Sequence, residues 1–320
     1  MIISIDIGGT KTAFGVVNDT NKQVEVCFQD HIQTQRGLIG LKETVSFAIK
    51  TCENWAKKHN AKLKETIFIG SAGNFSKANP NVILPGTAVH LGKIANEFDN
   101  CNLANLFQNA CLNKYRFFIV NDGIAQLAGG LKLLFQSNDI KQKLCNQKVA
   151  YIGPGTGLAG GFAKLSKTGK PRFYTDGHIF DMEIKHINGK LVGAESVYSG
   201  TGFYTEFGIS TKELSENKNL FKTYLKHIEE LGYYLAQITK NIYLGSFKKL
   251  SHYPWSKADY EAIKGTTHFI LGGSLGVSGE MSSIILNKAQ EHLKKDKLNV
   301  LFFKVPNPIQ SALIAGVQFV

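Results

Sequence analysis

Several short polar stretches of this chain have the composition of a phosphate-handling site. Gly8-Gly9-Thr10 follows an apolar run that ends near Asp6, and Gly155-Thr156-Gly157, Gly272-Gly273 and Asn121-Asp122 each follow a further apolar run. Backbone amides of glycine-rich turns can approach an anion closely, and rows of such amides hold phosphate oxygens. One carboxylate can orient Mg²⁺ while another accepts a proton from an attacking hydroxyl. Found together at strand ends and in this order, the stretches favour phosphoryl transfer.

Each stretch also has a purely structural interpretation. Glycine-rich turns are common in hairpins, and this applies to Gly8-Gly9 and to Gly155-Thr156-Gly157 alike. Asp6 could cap a turn, and Asn121-Asp122 could be the N-cap of a helix, which is a frequent use of Asn and Asp after a strand. Taken singly, each stretch favours its structural interpretation, and only the ordered set points to chemistry.

The elements that must position these residues follow from hydrophobic periodicity. The pattern predicts three consecutive strands within residues 1–31 and a glycine- and proline-bearing loop over 74–90. Further strands are predicted over 66–70, 117–120, 148–152, 158–164, 268–271 and 300–303. Helices are predicted over 39–58, 123–134, 218–245, from after Gly276 to about 294, and over 310–319.

Two halves of the chain each open with a strand, a glycine-threonine turn and a returning strand. This repetition predicts an α/β fold of two similar domains that face each other across a cleft. We expect the smaller domain to comprise residues 1–120 with a C-terminal helix over 309–320, and the larger one residues 121–308. No repeat with a period of 20–50 residues is present in the sequence.

The composition is that of a soluble globular protein, with 43% hydrophobic and 19% charged residues. The net charge of +12 comes from dispersed lysines, without an arginine-rich arm or a basic run interleaved with aromatics. The sequence therefore argues against nucleic-acid binding and favours a solvated basic surface that attracts anionic substrates.

The cysteines and the apolar runs indicate a compartment. The five cysteines are odd in number and include no Cys-x-x-Cys pair, which fits a reducing environment and argues against a disulfide framework. No apolar run approaches the about 20 residues that a membrane span requires, and no basic leader precedes the first strand. We expect a cytoplasmic protein without membrane association.

The ordered motifs resemble those of bacterial glucokinases and the related ROK family, sugar kinases of the actin/hexokinase/Hsp70 ATPase superfamily. Asp6 to Lys11 resembles the first phosphate loop, Val120 to Gly123 the sugar and base motif, and Gly153 to Leu158 the second phosphate loop. Gly177-His178 is similar to the end of the family's Glu-x-Gly-His element, and the segment from Glu195 to Gly202 to its Glu-x-x-x-Ser-Gly element. Leu271-Gly272-Gly273 corresponds to the adenosine motif. The resemblance implies two ribonuclease H-like domains of the actin-like ATPase type.

The resemblance also implies roles for individual residues. Asp122 would be the general base toward the 6-hydroxyl of a hexose, and the sugar would be bound by Asn121, Asp122, His178, Glu195 and Asp176. Asp6 would act on Mg²⁺ indirectly. ATP would be held by Asp6, Gly8, Gly9, Thr10, Lys11, Gly155, Thr156, Gly157, Gly272 and Gly273. The resemblance is compatible with a homodimer.

The chain departs from the family pattern in two places. The family's glutamate three residues before the histidine is replaced by Thr175, with Asp176 beside it, so either Asp176 substitutes after a one-residue shift or the pocket differs. The Cys-x-Cys-Gly zinc signature is missing, and no structural zinc is expected. Three alternatives therefore stay open: a kinase for another hexose or an N-acetylhexosamine, a catalytically weak sugar-binding sensor, and a nucleotidase or chaperone-type ATPase.

Overall fold

Residues of this chain form two compact units in the computed structural model. The structure describes residues 1–20, 23–76, 78–88, 90–109, 114–174, 177–250 and 255–320. The first unit comprises Met1–Gln136 together with Ile309–Val320, and the second comprises Ser137–Pro308. Each unit has its own five-stranded sheet and its own hydrophobic core.

The strands of the first sheet come from the beginning of the chain. They are β1 (Ile2–Ile7), β2 (Lys11–Thr20), β3 (Gln23–Gln33), β4 (Thr66–Ser71) and β5 (Arg116–Asn121). The second unit holds β6 (Lys148–Pro154), β7 (Leu158–Leu165), β8 (Pro171–Phe173), β9 (Glu183–Lys185), β10 (Leu191–Gly193), β11 (His268–Leu271) and β12 (Leu301–Lys304). Of these, β9 and β10 form a separate two-stranded sheet.

The helices are mostly short, apart from three of 17 to 22 residues. In chain order they are α1 (Gly37–Lys58), α2 (Leu103–Gln108), α3 (Asp122–Leu134), α4 (Asn138–Leu144), α5 (Ala194–Val197), α6 (Gly200–Phe207), α7 (Thr211–Glu216), α8 (Lys218–Thr223), α9 (Leu225–Leu244), α10 (Lys257–Ile263), α11 (Gly273–Val277), α12 (Gly279–Lys295), α13 (Pro308–Ile314) and α14 (Gly316–Phe319). No helix among the described residues has both the length and the apolar character needed to cross a membrane.

The two sheets have the same topology. The first has the strand order β3-β2-β1-β4-β5, and the second, followed in the matching direction, is β8-β7-β6-β11-β12. In each sheet the first three strands along the chain form an antiparallel meander. The fourth strand pairs parallel with the first strand of that meander, and the fifth strand pairs parallel with the fourth. The prediction of an α/β fold that repeats a strand, glycine turn and strand is confirmed.

Parallel pairing brings three strand ends of the first unit to one edge. The register aligns Asp6 on β1 with Gly70 on β4, and Gly70 with Val120 on β5. Carboxyl ends of parallel strands meet at the same edge of a sheet, where ligands commonly bind in α/β folds. This edge therefore collects the acidic residues that lie far apart in the sequence.

The boundary between the units differs from the predicted one. The sequence placed it after residue 120, whereas the structure places it after Gln136. The reason is that β5 runs directly into α3, which packs on β4 and α14 of the same unit. At Gly129 a Cβ would lie 1.5 Å from the Ser311 carbonyl oxygen, so glycine allows α3 to touch the backbone of α13. Asn121 and Asp122 thus belong to the first unit.

Two predicted helices are interrupted in the structure. The helix predicted over 218–245 is divided into α8 and α9 by Tyr224, which has φ −97° and ψ 9°. The helix predicted over 310–319 is divided into α13 and α14 at Ala315. Apolar spacing continues across both breaks, so periodicity alone does not reveal either of them.

A buried ion pair links two segments of the second unit. Lys249 Nζ lies 3.5 Å from Asp181 Oδ1, and these side chains are 1% and 6% exposed. The ammonium also lies 5.1 Å from the centroid of the Trp255 ring. The backbone fixes the pair, because Leu250 N donates to Asp181 O at 2.9 Å. Removing one partner of such a pair leaves a buried charge without compensation, which costs about 3–5 kcal/mol.

We therefore expect Lys249→Met to lower the free energy of unfolding by about 3–5 kcal/mol, measured by urea denaturation. Adding Asp181→Asn to it should recover much of the loss, because no buried charge then remains. The neighbouring Lys248→Met is the matched control, since Lys248 is 72% exposed where it pairs with Glu183, and its loss should be about 0–1 kcal/mol. Equal losses of unfolding free energy in Lys249→Met and Lys248→Met would contradict the description of Lys249 and Asp181 as a buried ion pair.

Candidate functional site

The first glycine turn is held by a buried threonine. Gly8 N donates to Lys11 O at 3.0 Å and closes the turn between β1 and β2. Thr34 Oγ1 donates to Gly8 O at 2.7 Å, and Thr34 N donates to Thr10 O at 3.0 Å. These bonds fix the backbone that any anion-binding role of Gly8, Gly9, Thr10 and Lys11 requires. The sequence analysis missed Thr34, which lies after β3 with no motif around it.

Two carboxylates approach each other across a glycine. A Cβ at Gly70 would lie 3.5 Å from Asp6 Oδ1 and 4.0 Å from Asp122 Cα. Burial, followed by the negative charge of Asp122, raises the pKa of Asp6 from its ordinary 3.8 to about 7. The ionised form of Asp6 is thus disfavoured in the protein alone, and a nearby cation would favour it.

Asp6 is contacted by a side chain that the sequence analysis also missed. Gln126 Nε2 donates to Asp6 Oδ2 at 3.5 Å, and Ser311 Oγ on α13 donates to Gln126 Oε1. Gln126 lies one helical turn after Asp122 on α3, so the i,i+4 spacing was a signal for its position. Ser311 comes from the far end of the chain, and only the folded first unit brings it here.

Asn121 and Asp122 form the start of α3. Asn121 Oδ1 accepts from Gly123 N at 2.9 Å and from Ile124 N at 3.4 Å, while its Nδ2 donates to Gly73 O at 3.0 Å. The N-cap interpretation is therefore confirmed for Asn121, which is buried. Asp122 Oδ1 accepts from Gly123 N at 2.8 Å. Its carboxylate therefore lies in the first turn of α3, at the positive end of the helix dipole.

The second glycine turn is bonded to a later motif of the same unit. Gly155 N donates to Gly157 O at 2.9 Å within the turn. Gly200 N donates to Gly155 O at 2.7 Å, and Thr201 N donates to Thr156 O at 3.0 Å. The turn is therefore supported by the N-terminal end of α6, which follows Glu195 in the chain.

Gly272 and Gly273 are required by close packing within the second unit. A Cβ at Gly272 would lie 2.0 Å from the Tyr151 hydroxyl oxygen. Gly273 has φ +64°, and a Cβ there would lie 2.2 Å from Pro154 O. Gly272 and Gly273 thus pack against β6, the strand that leads into the second glycine turn at Gly155 to Gly157.

His178 is a buried and neutral imidazole. It is 8% exposed and packs edge-on against Phe180, with ring centroids 4.6 Å apart. Burial, and secondarily the positive charge of Lys249, lower the pKa of His178 to about 3, although Asp181 acts in the opposite direction. A neutral imidazole has one donor and one acceptor nitrogen, which suits contact with hydroxyl groups.

Glu195 lies between the histidine segment and the second glycine turn. Its backbone N donates to Phe180 O at 2.8 Å, and its Oε2 accepts from Leu158 N at 2.8 Å. The structure thus places Glu195 against both features of the second unit. Asp176 and the neighbouring Thr175 lie outside the described residues.

The described acidic residues offer carboxylates to a cation but form no preassembled metal cage. Within the described ranges, no group of three or more His, Cys, Asp and Glu side chains is arranged to hold a metal ion. Mg²⁺ does not need such a cage, because it usually keeps several waters and binds one or two carboxylates together with substrate phosphates. Asp6, with its raised pKa beside Asp122, fits that manner of binding.

Asp6 makes the stability of the unliganded, metal-free protein depend on pH. A carboxyl group with a raised pKa in the folded state contributes stability that is complete below about pH 4 and lost as the pH rises through about 7. We expect Asp6→Asn to remove this decline, measured as the free energy of unfolding across that range. Asp30→Asn, at an exposed position of β3, should retain it. If the free energy of unfolding of Asp6→Asn still declined over this pH range as in the unsubstituted protein, the raised pKa of Asp6 would not be its cause.

Comparisons with known proteins place this geometry in a structural context. The sequence matches no protein-family model and no curated protein. A ROK family glucokinase from Streptomyces griseus, solved with glucose and AMPPNP, is 17% identical with a TM-score of 0.67 and covers 98% of this chain and 97% of its own. A candidate N-acetylmannosamine kinase from Listeria monocytogenes is 16% identical with a TM-score of 0.63, over 99% and 97%.

A third solved structure is a ROK family transcriptional regulator, a homologue of the E. coli MLC protein. It is 14% identical with a TM-score of 0.64, and the alignment covers 99% of this chain and 79% of the regulator. At such identities the likeness concerns the fold, which kinases and a regulator share. The chain has the actin-like ATPase fold of the ROK sugar kinases.

Proposed function

We propose that this protein is an ATP-dependent hexose kinase that transfers the γ-phosphoryl group to the 6-hydroxyl of a sugar. The observation that carries the proposal is the edge of the first sheet, where Asp6 and Asp122 flank Gly70 beside the turn from Gly8 to Lys11. A cation-orienting carboxylate, a proton acceptor and an anion-binding turn are the parts that phosphoryl transfer needs. The likeness of this fold to that of solved sugar kinases supports the proposal of a kinase.

Asp122 is assigned as the general base. Its carboxylate is oriented by the Gly123 amide and by the N-terminal end of α3. In the proposed reaction it accepts the proton of the sugar hydroxyl as the oxygen attacks the γ-phosphorus. Positioned general bases contribute about 10²- to 10⁴-fold to a rate.

The nucleotide is assigned to the glycine-rich segments. The backbone amides of Gly8 to Lys11 and of Gly155 to Gly157 hold phosphate oxygens, and Gly272 with Gly273 accommodates the adenosine. Asp6 orients Mg²⁺, which when bound neutralises charge on the phosphates. Because ATP is an intracellular substrate, we place the enzyme in the cytoplasm.

The sugar is assigned to Asn121, Asp122, His178 and Glu195, with Asp176 as a further candidate. Hydroxyl groups need both donors and acceptors, and the neutral imidazole of His178 offers one of each. The residues do not choose between glucose, another hexose and an N-acetylhexosamine. One solved protein of this fold is a glucokinase and another is a candidate N-acetylmannosamine kinase. Hexoses and N-acetylhexosamines therefore both belong in the test.

A sugar-binding sensor is the second candidate function. It is favoured by the likeness to a ROK transcriptional regulator and by the replacement of the family's glutamate by Thr175. A sensor predicts that a sugar raises the thermal unfolding midpoint without ADP release. A nucleotidase or chaperone-type ATPase would instead hydrolyse ATP without sugar.

The proposed function is tested by screening hexoses and N-acetylhexosamines for sugar-dependent ADP release with Mg²⁺ and ATP. We expect Asp122→Asn to lower turnover by about 10²- to 10⁴-fold while sugar-induced thermal stabilisation persists, because the amide keeps the shape but accepts no proton. Asp139→Asn is the matched control, as an exposed aspartate in the first turn of α4, and should retain activity. If no sugar stimulates ADP release, or Asp122→Asn keeps full activity, the kinase assignment is wrong.

A further inference from the structure

We infer that Glu195 couples the sugar to the nucleotide, because its carboxylate fastens the second glycine turn as well as lying in the sugar-binding set. The inference rests on the proposed function, since it takes the turn from Gly155 to Gly157 as a phosphate-binding element. It makes Glu195 a positioning residue for the nucleotide, acting through the backbone of that turn.

The first observation is the contact between the carboxylate and the end of the turn. Glu195 Oε2 accepts from Leu158 N at 2.8 Å, directly after Gly157. A Cβ at Gly157 would lie 2.6 Å from the same oxygen. The missing side chain at Gly157 therefore makes room for the Glu195 carboxylate. A carboxylate that accepts a backbone N–H forms a charge-assisted hydrogen bond, which is stronger than one between neutral groups.

The second observation is that the segment after Glu195 is bonded along the same turn. Gly200 N and Thr201 N donate to the carbonyl oxygens of Gly155 and Thr156. Ser199 ties this segment back to Glu195, because its Oγ donates to Glu195 O at 2.7 Å and accepts from Gly202 N at 2.9 Å. Residues 195–202 therefore form one bonded support for residues 155–158.

The third observation concerns the other side of Glu195. Its backbone N donates to Phe180 O at 2.8 Å, and the Phe180 ring packs against His178. A change in the position of Glu195 therefore reaches both the histidine segment and the glycine turn. A sugar hydroxyl bound by Glu195 orders the same carboxylate that holds the turn.

Reciprocity turns this geometry into a measurable coupling. If a sugar raises the affinity for the nucleotide by some factor, the nucleotide raises the affinity for the sugar by the same factor. Because the contact between Glu195 and Leu158 lies within the second unit, it also orders the turn when no sugar is present. Loss of the carboxylate should therefore weaken nucleotide binding even in the sugar-free protein.

The test measures AMPPNP binding with Mg²⁺ by isothermal titration in the sugar-free protein. We expect Glu195→Ala to weaken AMPPNP about tenfold, equivalent to about 1.4 kcal/mol, and Gly157→Ala to do likewise, because its Cβ displaces the carboxylate. Glu195→Gln keeps an acceptor of the same shape and should restore part of the affinity. The control is Glu206→Ala on α6, whose carboxylate pairs with His186 and should leave AMPPNP affinity unchanged.

A second measurement separates coupling from structural damage. AMPPNP affinity is compared with and without the sugar found in the kinase screen, and thermal unfolding verifies that each variant is folded. In Glu195→Ala the ratio of the two affinities should fall to one. A wild-type AMPPNP affinity in Glu195→Ala, an equal loss in Glu206→Ala, or an unchanged ratio would overturn the inference. Those results are distinct from failure of the proposed function, in which no sugar stimulates ADP release.

Discussion

The close approach of two carboxylates at one edge of the first sheet is the constraint on which this site depends. Parallel pairing of β1, β4 and β5 brings Asp6 and Asp122 to either side of Gly70. Burial and mutual repulsion raise the pKa of Asp6 to about 7, so the arrangement opposes its own ionisation. A bound cation would relieve this opposition by favouring the ionised carboxylate, which is the role proposed for Mg²⁺ at this site.

The two units use the same topology but support their glycine turns differently. In the first unit, Thr34 holds the turn through its hydroxyl and its backbone amide. In the second unit, the support is a bonded segment from Glu195 to Gly202, with a carboxylate at one end. The repeated turn is therefore supported by a threonine in one unit and by a segment that carries a carboxylate in the other.

The surroundings of His178 show how the second unit tolerates buried polar groups. Lys249 and Asp181 compensate each other at 3.5 Å, and the same positive charge helps to keep the imidazole neutral. The backbone pairing of residues 181 and 250 fixes this arrangement. Burial is therefore the main cause of the low pKa of His178, and the charge of Lys249, which is distant in the sequence, lowers it further.

Periodicity and turn chemistry act over a few neighbouring residues, so the repeated hairpins, the order of the glycine turns and the acids that follow the strands could be predicted from the sequence. The sequence could not indicate Thr34, Ser311 or the pairing of Lys249 with Asp181, because their roles arise from contacts between distant segments, whereas the spacing from Asp122 was a local signal for Gln126. The break at Tyr224 was missed because apolar spacing continues across it, and the boundary after Gln136 was missed because α3 joins the first unit through contacts with distant segments. The hydrogen bond between Glu195 and Leu158 became visible only in the folded chain, since no local pattern encodes a contact across 37 residues.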